Sequence, residues 1–197
     1  GKPVAMTLKF GPGMEARSAV TAWDAPRMFA AEGESWGGAP PLATEWNVEA
    51  RAGGGCRIRI VQSLFASTDE WDNQLEGAGS VFAGFFRTLQ LYLTHFRGQR
   101  SANMQVVAPV AGTEADAWDT LTASLGLKGA SVPQRWAAPA GGPPLGGVVE
   151  YVTPRPYDAL LRLDTPWPGV AALGVYTFPG GDQTMVAMGF YLYGDQA

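Results

Sequence analysis

The chain is poor in the residues that most often carry catalysis and metal binding. Its 197 residues include one cysteine, Cys56, and one histidine, His95. A single cysteine excludes an internal disulfide, and a lone histidine leaves no basis for a polyhistidine metal site. A Ser/His/Asp triad or a Cys/His dyad would have to depend on His95. We therefore predict no catalytic residue, no metal ligand and no cofactor, and we expect a protein that is not an enzyme.

Charge is also scarce. Charged residues make up 16% of the chain and the net charge is −4, so no basic field attracts nucleic acid or an anionic membrane. The longest uncharged stretch, residues 165–181, contains three prolines and is shorter than the roughly 20 residues that a membrane helix needs. We expect no nucleic-acid partner, no membrane segment and, with one free cysteine, a cytoplasmic location.

Glycine, proline and apolar residues are abundant instead. The chain has 26 glycines, 15 prolines and 46% hydrophobic residues. Such a composition supplies a buried core and many turns, and it argues against a helical bundle or a disordered chain. The sequence therefore predicts an α+β protein rich in antiparallel strands.

Two hairpins are the clearest local signals. Residues 4–23 alternate apolar and polar side chains around a turn at 11–13, in a register that pairs Lys9 with Glu15 and Phe10 with Met14. Residues 42–60 alternate in the same way around a glycine loop. That register pairs Val48 with Ile58 and Trp46 with Ile60. Cys56 is predicted on the inward face, as a small hydrophobic residue.

A long helix follows the second hairpin. Ser67 and Glu70 have capping-box spacing, and a short helix to Leu75 is predicted to be interrupted by Gly77 and Gly79. The main helix spans residues 80–96. Its apolar side chains recur at helical spacing and form one stripe: Phe82, Phe85, Phe86, Leu89, Leu93 and Phe96. His95 lies off this stripe, near the helix end, and is predicted to be at the surface.

The second half predicts a strand, a helix and a sheet. The helix begins at Thr113 and ends at Gly126, with Trp118, Leu121 and Leu125 on its apolar face. Residues 131–147, rich in proline and glycine, are predicted to form a loop. The strands are expected at 104–110, 148–153, 157–163, 170–178 and 184–193.

Short blocks of the first half occur in a recognisable order, at residues 10–15, 20–27, 43–49, 70–78 and 84–96. Over about residues 4–98, they resemble the START-like (SRPBCC) superfamily, in the branch named after the activator of the heat-shock-protein-90 ATPase. The resemblance implies a helix-grip fold, in which an antiparallel sheet wraps a long helix around an apolar cavity. It further implies a START-like domain at residues 1–100, without the family's N-terminal strand and two helices. Residues 101–197 would then form a second START-like or partner α+β half, packed on the first.

The implied cavity lies between the first sheet and the long helix. Its expected lining is Met6, Leu8, Phe10, Trp46, Val48, Ile58, Ile60, Phe82, Phe85, Phe86 and Leu89. The same stripes also fit an ordinary closed core. A cavity predicts non-catalytic binding of a small hydrophobic ligand. The alternatives are a protein-interaction module, with a chaperone or regulator as partner, and an enzyme with a minimal acid–base site in the cavity.

Two other patterns have simpler explanations. An acidic run, Asp69, Glu70, Asp72 and Glu76, favours a helix N-terminus and lacks the spacing of a calcium loop. The glycine runs 53–55 and 141–142 lack the pattern of a phosphate-binding loop.

Overall fold

Two antiparallel sheets and two helices make up the described part of the chain in the computed structural model. The structure describes residues 3–11, 14–34, 40–65, 72–177 and 182–194. The chain divides into two units, residues 1–72 and residues 73–197. The α+β class predicted from the sequence is confirmed.

The first unit is a five-stranded sheet in which each strand pairs with the next along the chain. Its strands are β1 (Ala5–Gly11), β2 (Met14–Asp24), β3 (Met28–Gly33), β4 (Leu42–Ala50) and β5 (Cys56–Leu64). The predicted pairs Lys9–Glu15, Val48–Ile58 and Trp46–Ile60 are confirmed. Met14 pairs with Gly11 and not with Phe10, because the register shifts between Lys9 and Gly11.

The loop between β4 and β5 explains why this hairpin register is readable from the sequence. The Arg51 N–H donates to the Gly55 carbonyl at 2.9 Å, which closes the predicted glycine loop with three residues between them. Gly53 and Gly54 have φ values of 83° and 79°. Residues other than glycine rarely adopt this left-handed backbone conformation. The glycines therefore determine the turn, and the turn determines the register.

The second unit is a six-stranded sheet with a helix on each face. Its helices are α1 (Asp72–His95) and α2 (Glu114–Ser124). Its strands are β6 (Ser101–Val110), β7 (Gln134–Ala137), β8 (Gly146–Pro154), β9 (Tyr157–Thr165), β10 (Gly169–Thr177) and β11 (Thr184–Tyr193), in the sheet order β6-β11-β10-β9-β8-β7. The predicted strand–helix–sheet order of the second half is confirmed.

Helix α2 closes the core on one face of this sheet. The helix begins after Thr113, as predicted, with a capping box in which Thr113 and Asp116 accept hydrogen bonds from each other's backbone N–H groups. Trp118 and Leu125 are buried, and the Trp136 indole donates to the Leu125 carbonyl at 2.7 Å. The buried cluster also includes sheet residues that alternate along their strands: Val149, Ala159, Leu161, Leu163, Ala171, Leu173 and Val175.

Three expectations about boundaries differ from the structure. Gly77 and Gly79 do not interrupt α1, which is continuous over 24 residues; a glycine weakens a helix interior by about 1 kcal/mol, too little to break so long a helix. The loop predicted at 131–147 contains the short strand β7. The division of the chain comes before α1, while the assignment of residues 1–100 and 101–197 as START-like halves stays a prediction.

Candidate functional site

The C-terminal half of α1 lies on the second face of the six-stranded sheet. The Phe96 ring stacks on the Tyr193 ring, with centroids 4.3 Å apart and planes 14° apart. The Tyr92 ring lies 5.6 Å from the same tyrosine. Leu91 packs with this cluster, which includes Leu160 and Val170 of the sheet. A long helix therefore lies on an antiparallel sheet.

One helical turn before this cluster, two α1 residues approach the sheet differently. The Arg87 guanidinium lies over the Tyr151 ring, with its Cζ 3.9 Å from the ring centroid, a cation–π contact. Gly84 has no side chain, and a Cβ there would lie 3.4 Å from Oδ2 of Asp158. The helix backbone thus comes close to a carboxyl group of β9.

Asp158 lies between two glycines. Its Oδ1 would be 3.9 Å from a Cβ at Gly174, the residue opposite it on β10. Asp158 and Leu160 are two residues apart on β9, so both side chains point to the α1 face of the sheet. No hydrogen-bond donor among the described residues reaches the Asp158 carboxyl, although the side chain is half-buried. Both carboxyl oxygens are accessible to solvent, because no fully buried side-chain oxygen or nitrogen among the described residues lacks a partner.

The surroundings of Asp158 favour its neutral form. Burial raises the pKa of Asp158 above its ordinary value of 3.8, and the positive charge of Arg87 opposes this in part. Glu150 on the neighbouring strand differs, because it accepts a hydrogen bond from Nε of Arg162 at 2.6 Å. Tyr176, two residues from Gly174 on β10, also has its pKa raised by burial. This part of the sheet can therefore hold a protonated carboxyl and a neutral phenol.

Replacing Asp158 with asparagine is expected to stabilise the protein at a pH of about 7. A group with a raised folded-state pKa contributes its stability below its unfolded pKa and loses it as pH rises through the folded pKa. The melting temperature of D158N should therefore exceed that of the wild type at neutral pH. The difference should shrink as pH falls toward about 4. Thermal melts across this range check it.

The matched control is Asp119, an exposed carboxylate that accepts from Lys128 at 2.9 Å. Since exposed ion pairs contribute little, D119N should change the melting temperature by less than about 2 °C at any pH. A clear loss of stability in D158N at neutral pH would show that the carboxylate is a structural partner and contradict this account.

The first unit contains a measurable groove. It has a volume of about 470 Å³ and lies beside the β2–β3 connection and the end of the β4–β5 hairpin. Pro26, Met28 and Val48 give it an apolar floor, and the bidentate pair of Arg27 with Asp24 lies at its side. This volume is within the usual range for small-molecule sites, but the groove is open to solvent.

Cys56 lines the same groove and is exposed. The prediction that it faces inward as a small hydrophobic residue is wrong. It pairs with Ala50, which is also exposed, at the last position of the hairpin. Alternation along β5 does not bury Cys56, because this position lies past the pairs of apolar side chains that β4 and β5 share. His95 is exposed at the end of α1, as predicted.

Five of the predicted cavity residues, Met6, Trp46, Val48, Ile58 and Ile60, share one face of the first unit's sheet. Register places Met6 with Ser18, Trp46 with Ile60 and Val48 with Ile58. Met6, Trp46, Val48, Ile58 and Ile60 are all half-buried. The side chains of Leu8, Phe10 and, on the helix, Phe82 lie outside the described residues.

The predicted stripe of α1 lies on the side away from the six-stranded sheet. Gly84, Arg87 and Leu91 face that sheet, and Phe86, Leu89 and Leu93 each follow one of them by two positions. Two positions correspond to about 200° around a helix. Phe86 and Leu89 are half-buried, and Phe85 is 46% exposed. Phe96 belongs to the sheet-facing cluster. The cavity between the first sheet and α1 stays a prediction.

Sequence reasoning missed Asp158 and Arg87. The predicted cavity contained residues of the first two hairpins and of the helix stripe, and neither Asp158 nor Arg87 belongs to these sets. The available signal was an aspartate inside an otherwise apolar strand, at residues 157–163. Alternation from Leu160 would have placed Asp158 on the inner face of that strand.

Metal and membrane functions find no support in the described ranges. No group of three or more His, Cys, Asp or Glu side chains there could hold a metal ion. Of the acidic run, residues 69 and 70 and the side chains of Asp72 and Glu76 lie outside the described part, as does the capping box predicted at Ser67. Among the described helices, none is long and apolar enough to cross a membrane.

Comparison with known proteins gives structural likeness alone. No protein-family model matches the chain, and no curated protein matches it. DynU16, from the dynemicin biosynthetic locus, is 14% identical at a TM-score of 0.37, covering 94% of this chain and 71% of that one. The di-domain ARO/CYC StfQ, from the steffimycin pathway, is 10% identical at 0.33, with coverage of 96% and 73%. The di-domain ARO/CYC BexL, from the BE-7585A pathway, is 12% identical at 0.37, with coverage of 93% and 68%.

These neighbours correct one expectation from the sequence. Two of them are named as di-domain ARO/CYC proteins, and ARO/CYC cyclases are enzymes. The expectation that this chain is not an enzyme is therefore withdrawn. At such identities and TM-scores, the likeness assigns neither an activity nor a ligand to this chain. The branch of the chaperone-ATPase activator is not confirmed.

Proposed function

We propose that the protein binds a small, largely apolar molecule between α1 and the six-stranded sheet. In this proposal, the Asp158 carboxyl meets the polar group of that molecule. The observation that carries the proposal is a half-buried carboxyl, facing a helix, with no donor among the described residues. The carboxyl oxygens are open to solvent, so a ligand that displaces this solvent can hydrogen-bond to them.

The residues around Asp158 favour an apolar ligand. Gly174 pairs with Asp158 and with Ala187, while Ala172 pairs with Leu160 and with Gly189. These four small residues occupy adjacent positions on the α1 face of the sheet. Small side chains leave a shallow apolar floor, and ligand sites typically combine such a floor with few polar groups.

The polar group of the ligand follows from the chemistry of Asp158. A protonated carboxyl donates to a carbonyl oxygen, and an ionised one accepts from a hydroxyl. A hydroxyl- or carbonyl-bearing apolar molecule can therefore use either state. A cationic ligand is less suitable, because the Arg87 guanidinium lies nearby.

The proposal is tested with the neutral apolar fluorophore N-phenyl-1-naphthylamine. In the wild type, titration should give saturable fluorescence enhancement. Gly174→Val places a side chain beside Asp158 without backbone strain, since a Cβ there meets its nearest atoms at 3.8 and 3.9 Å. This variant should bind the fluorophore at least about tenfold more weakly, because a few methyl groups change affinity by 1–3 kcal/mol.

The matched control, Gly55→Val, adds the same side chain in the groove of the first unit. It should leave binding unchanged. If Gly55→Val abolishes binding and Gly174→Val does not, the ligand occupies the groove and the proposal is wrong.

A second function, proton transfer by Asp158, is favoured by its raised pKa. A carboxyl of raised pKa without a donor suits general acid–base catalysis, which contributes typically 10²–10⁴-fold. The carboxylate would remove a proton from the carbon next to a ketone and return a deuteron from solvent. The test incubates the apolar ketone α-tetralone with protein in D₂O and follows deuterium uptake by mass spectrometry. Equal exchange rates in the wild type and D158N would contradict this function.

A further inference from the structure

The outer edge of β6 differs from the other sheet edges in the described structure. β6 is the first strand of the six-stranded sheet, and the described residues pair it with β11 alone. All ten residues are in register with β11, from Ser101 opposite Tyr193 to Val110 opposite Thr184, without a bulge. A long, regular edge strand exposes a row of backbone groups that can pair with another strand.

The other three edges carry features that discourage strand pairing. β1 contains Lys9 and a register shift beside it. β5 has the exposed side chains of Arg57 and Arg59. β7 has four residues, among them Arg135, which pairs with Asp164. Charged residues, prolines, irregular registers and short length are the usual protections of an edge.

β6 lacks the charge, the irregular register and the short length that protect the other edges, and its one protection is a proline near its end. Residues 101–110 contain no charged side chain, and Met104, Val106 and Val107 are 58%, 52% and 41% exposed. Pro109 fits an edge position, because prolines within sheets are largely confined to edges. An uncharged edge with half-exposed apolar side chains is a surface suited to pairing.

We propose that β6 pairs with β6 of a second copy of this chain, so that two six-stranded sheets join into one. Antiparallel pairing centred on Gln105 places Met104 opposite Val106 of the second copy, on one face of the joined sheet. The chain carries a net charge of −4, which opposes association of most surfaces, but self-pairing of β6 brings no like charges together. Because Pro109 has no N–H to donate, this pairing offers up to about eight backbone hydrogen bonds, within the range of a typical protein interface.

The test measures mass and hydrogen exchange of the full chain over concentration. Light scattering should give twice the monomer mass at about 100 µM, and exchange in residues 101–110 should slow as concentration rises. Val106→Lys and Met104→Lys, each checked for an unchanged melt, should raise the dimer dissociation constant at least about tenfold. Ala123→Lys, which adds the same charge at an exposed position of α2, should not.

Two results would overturn the proposal. A monomer at every concentration would show that no second copy binds β6. A dimer that persists in both β6 variants, or whose protection maps outside residues 101–110, would place the interface elsewhere.

Discussion

Replacing Phe96 with alanine is expected to lower the free energy of unfolding by about 3–5 kcal/mol. The Phe96 side chain is 6% exposed and stacks on Tyr193. Its removal would leave a cavity where α1 meets the six-stranded sheet, in a cluster with Leu160 and Val170. Urea denaturation followed by circular dichroism measures the change.

Leu93 supplies the control on the same helix, because it is 45% exposed. Leu93→Ala should cost less than about 1 kcal/mol, because the substitution removes little apolar surface that is buried in the folded protein. If Leu93→Ala is as destabilising as Phe96→Ala, the side of α1 that carries Leu93 is as well packed as the side on the six-stranded sheet. That result would contradict the orientation of α1 described above.

Replacing Trp118 with alanine is expected to have an effect of similar size, about 3–5 kcal/mol. Trp118 is buried in α2 and contacts Tyr157, with ring centroids 6.2 Å apart. It fills the core on the opposite face of the sheet from α1. The matched control is Trp167→Ala, at a tryptophan that is 46% exposed, and it should cost less than about 1 kcal/mol. Comparable losses for the two tryptophans would contradict the assignment of the core to α2 and the sheet.

The hairpins and α2 were predictable because local chemistry determines them. The glycines of the β4–β5 loop determine its turn, and the turn determines the pairs Val48–Ile58 and Trp46–Ile60. Thr113 and Asp116 begin α2 through a capping box, which is a local motif. In the hairpins and in α2, the local sequence pattern is compatible with a single secondary structure. The local preference of the chain and the tertiary packing therefore favour the same structure.

The orientation of α1 was not predictable in the same way. The helix has apolar residues on two sides, with Leu89 and Leu93 on one side and Leu91 and Phe96 on the other. A hydrophobic pattern on both sides identifies a helix but does not choose its neighbour. The contact between Phe96 and Tyr193 joins residues almost a hundred positions apart, and no local signal specifies it.

Asp158 shows a related limit for the site. Its sequence neighbours indicate an apolar strand, and a lone aspartate there fits equally with an exposed position or a strand end. The two glycines that surround its carboxyl, Gly84 and Gly174, come from a helix and from a neighbouring strand. A site assembled from three distant segments becomes visible once the sheet register and the helix position are known.

The central claim, that a ligand lies between α1 and the six-stranded sheet, is tested most directly by hydrogen exchange with and without bound N-phenyl-1-naphthylamine. The account predicts slower exchange in residues 84–92, 157–162 and 172–176, which form the surroundings of Asp158. Protection confined to residues 24–28 and 47–56 would place the ligand in the groove of the first unit and contradict the claim.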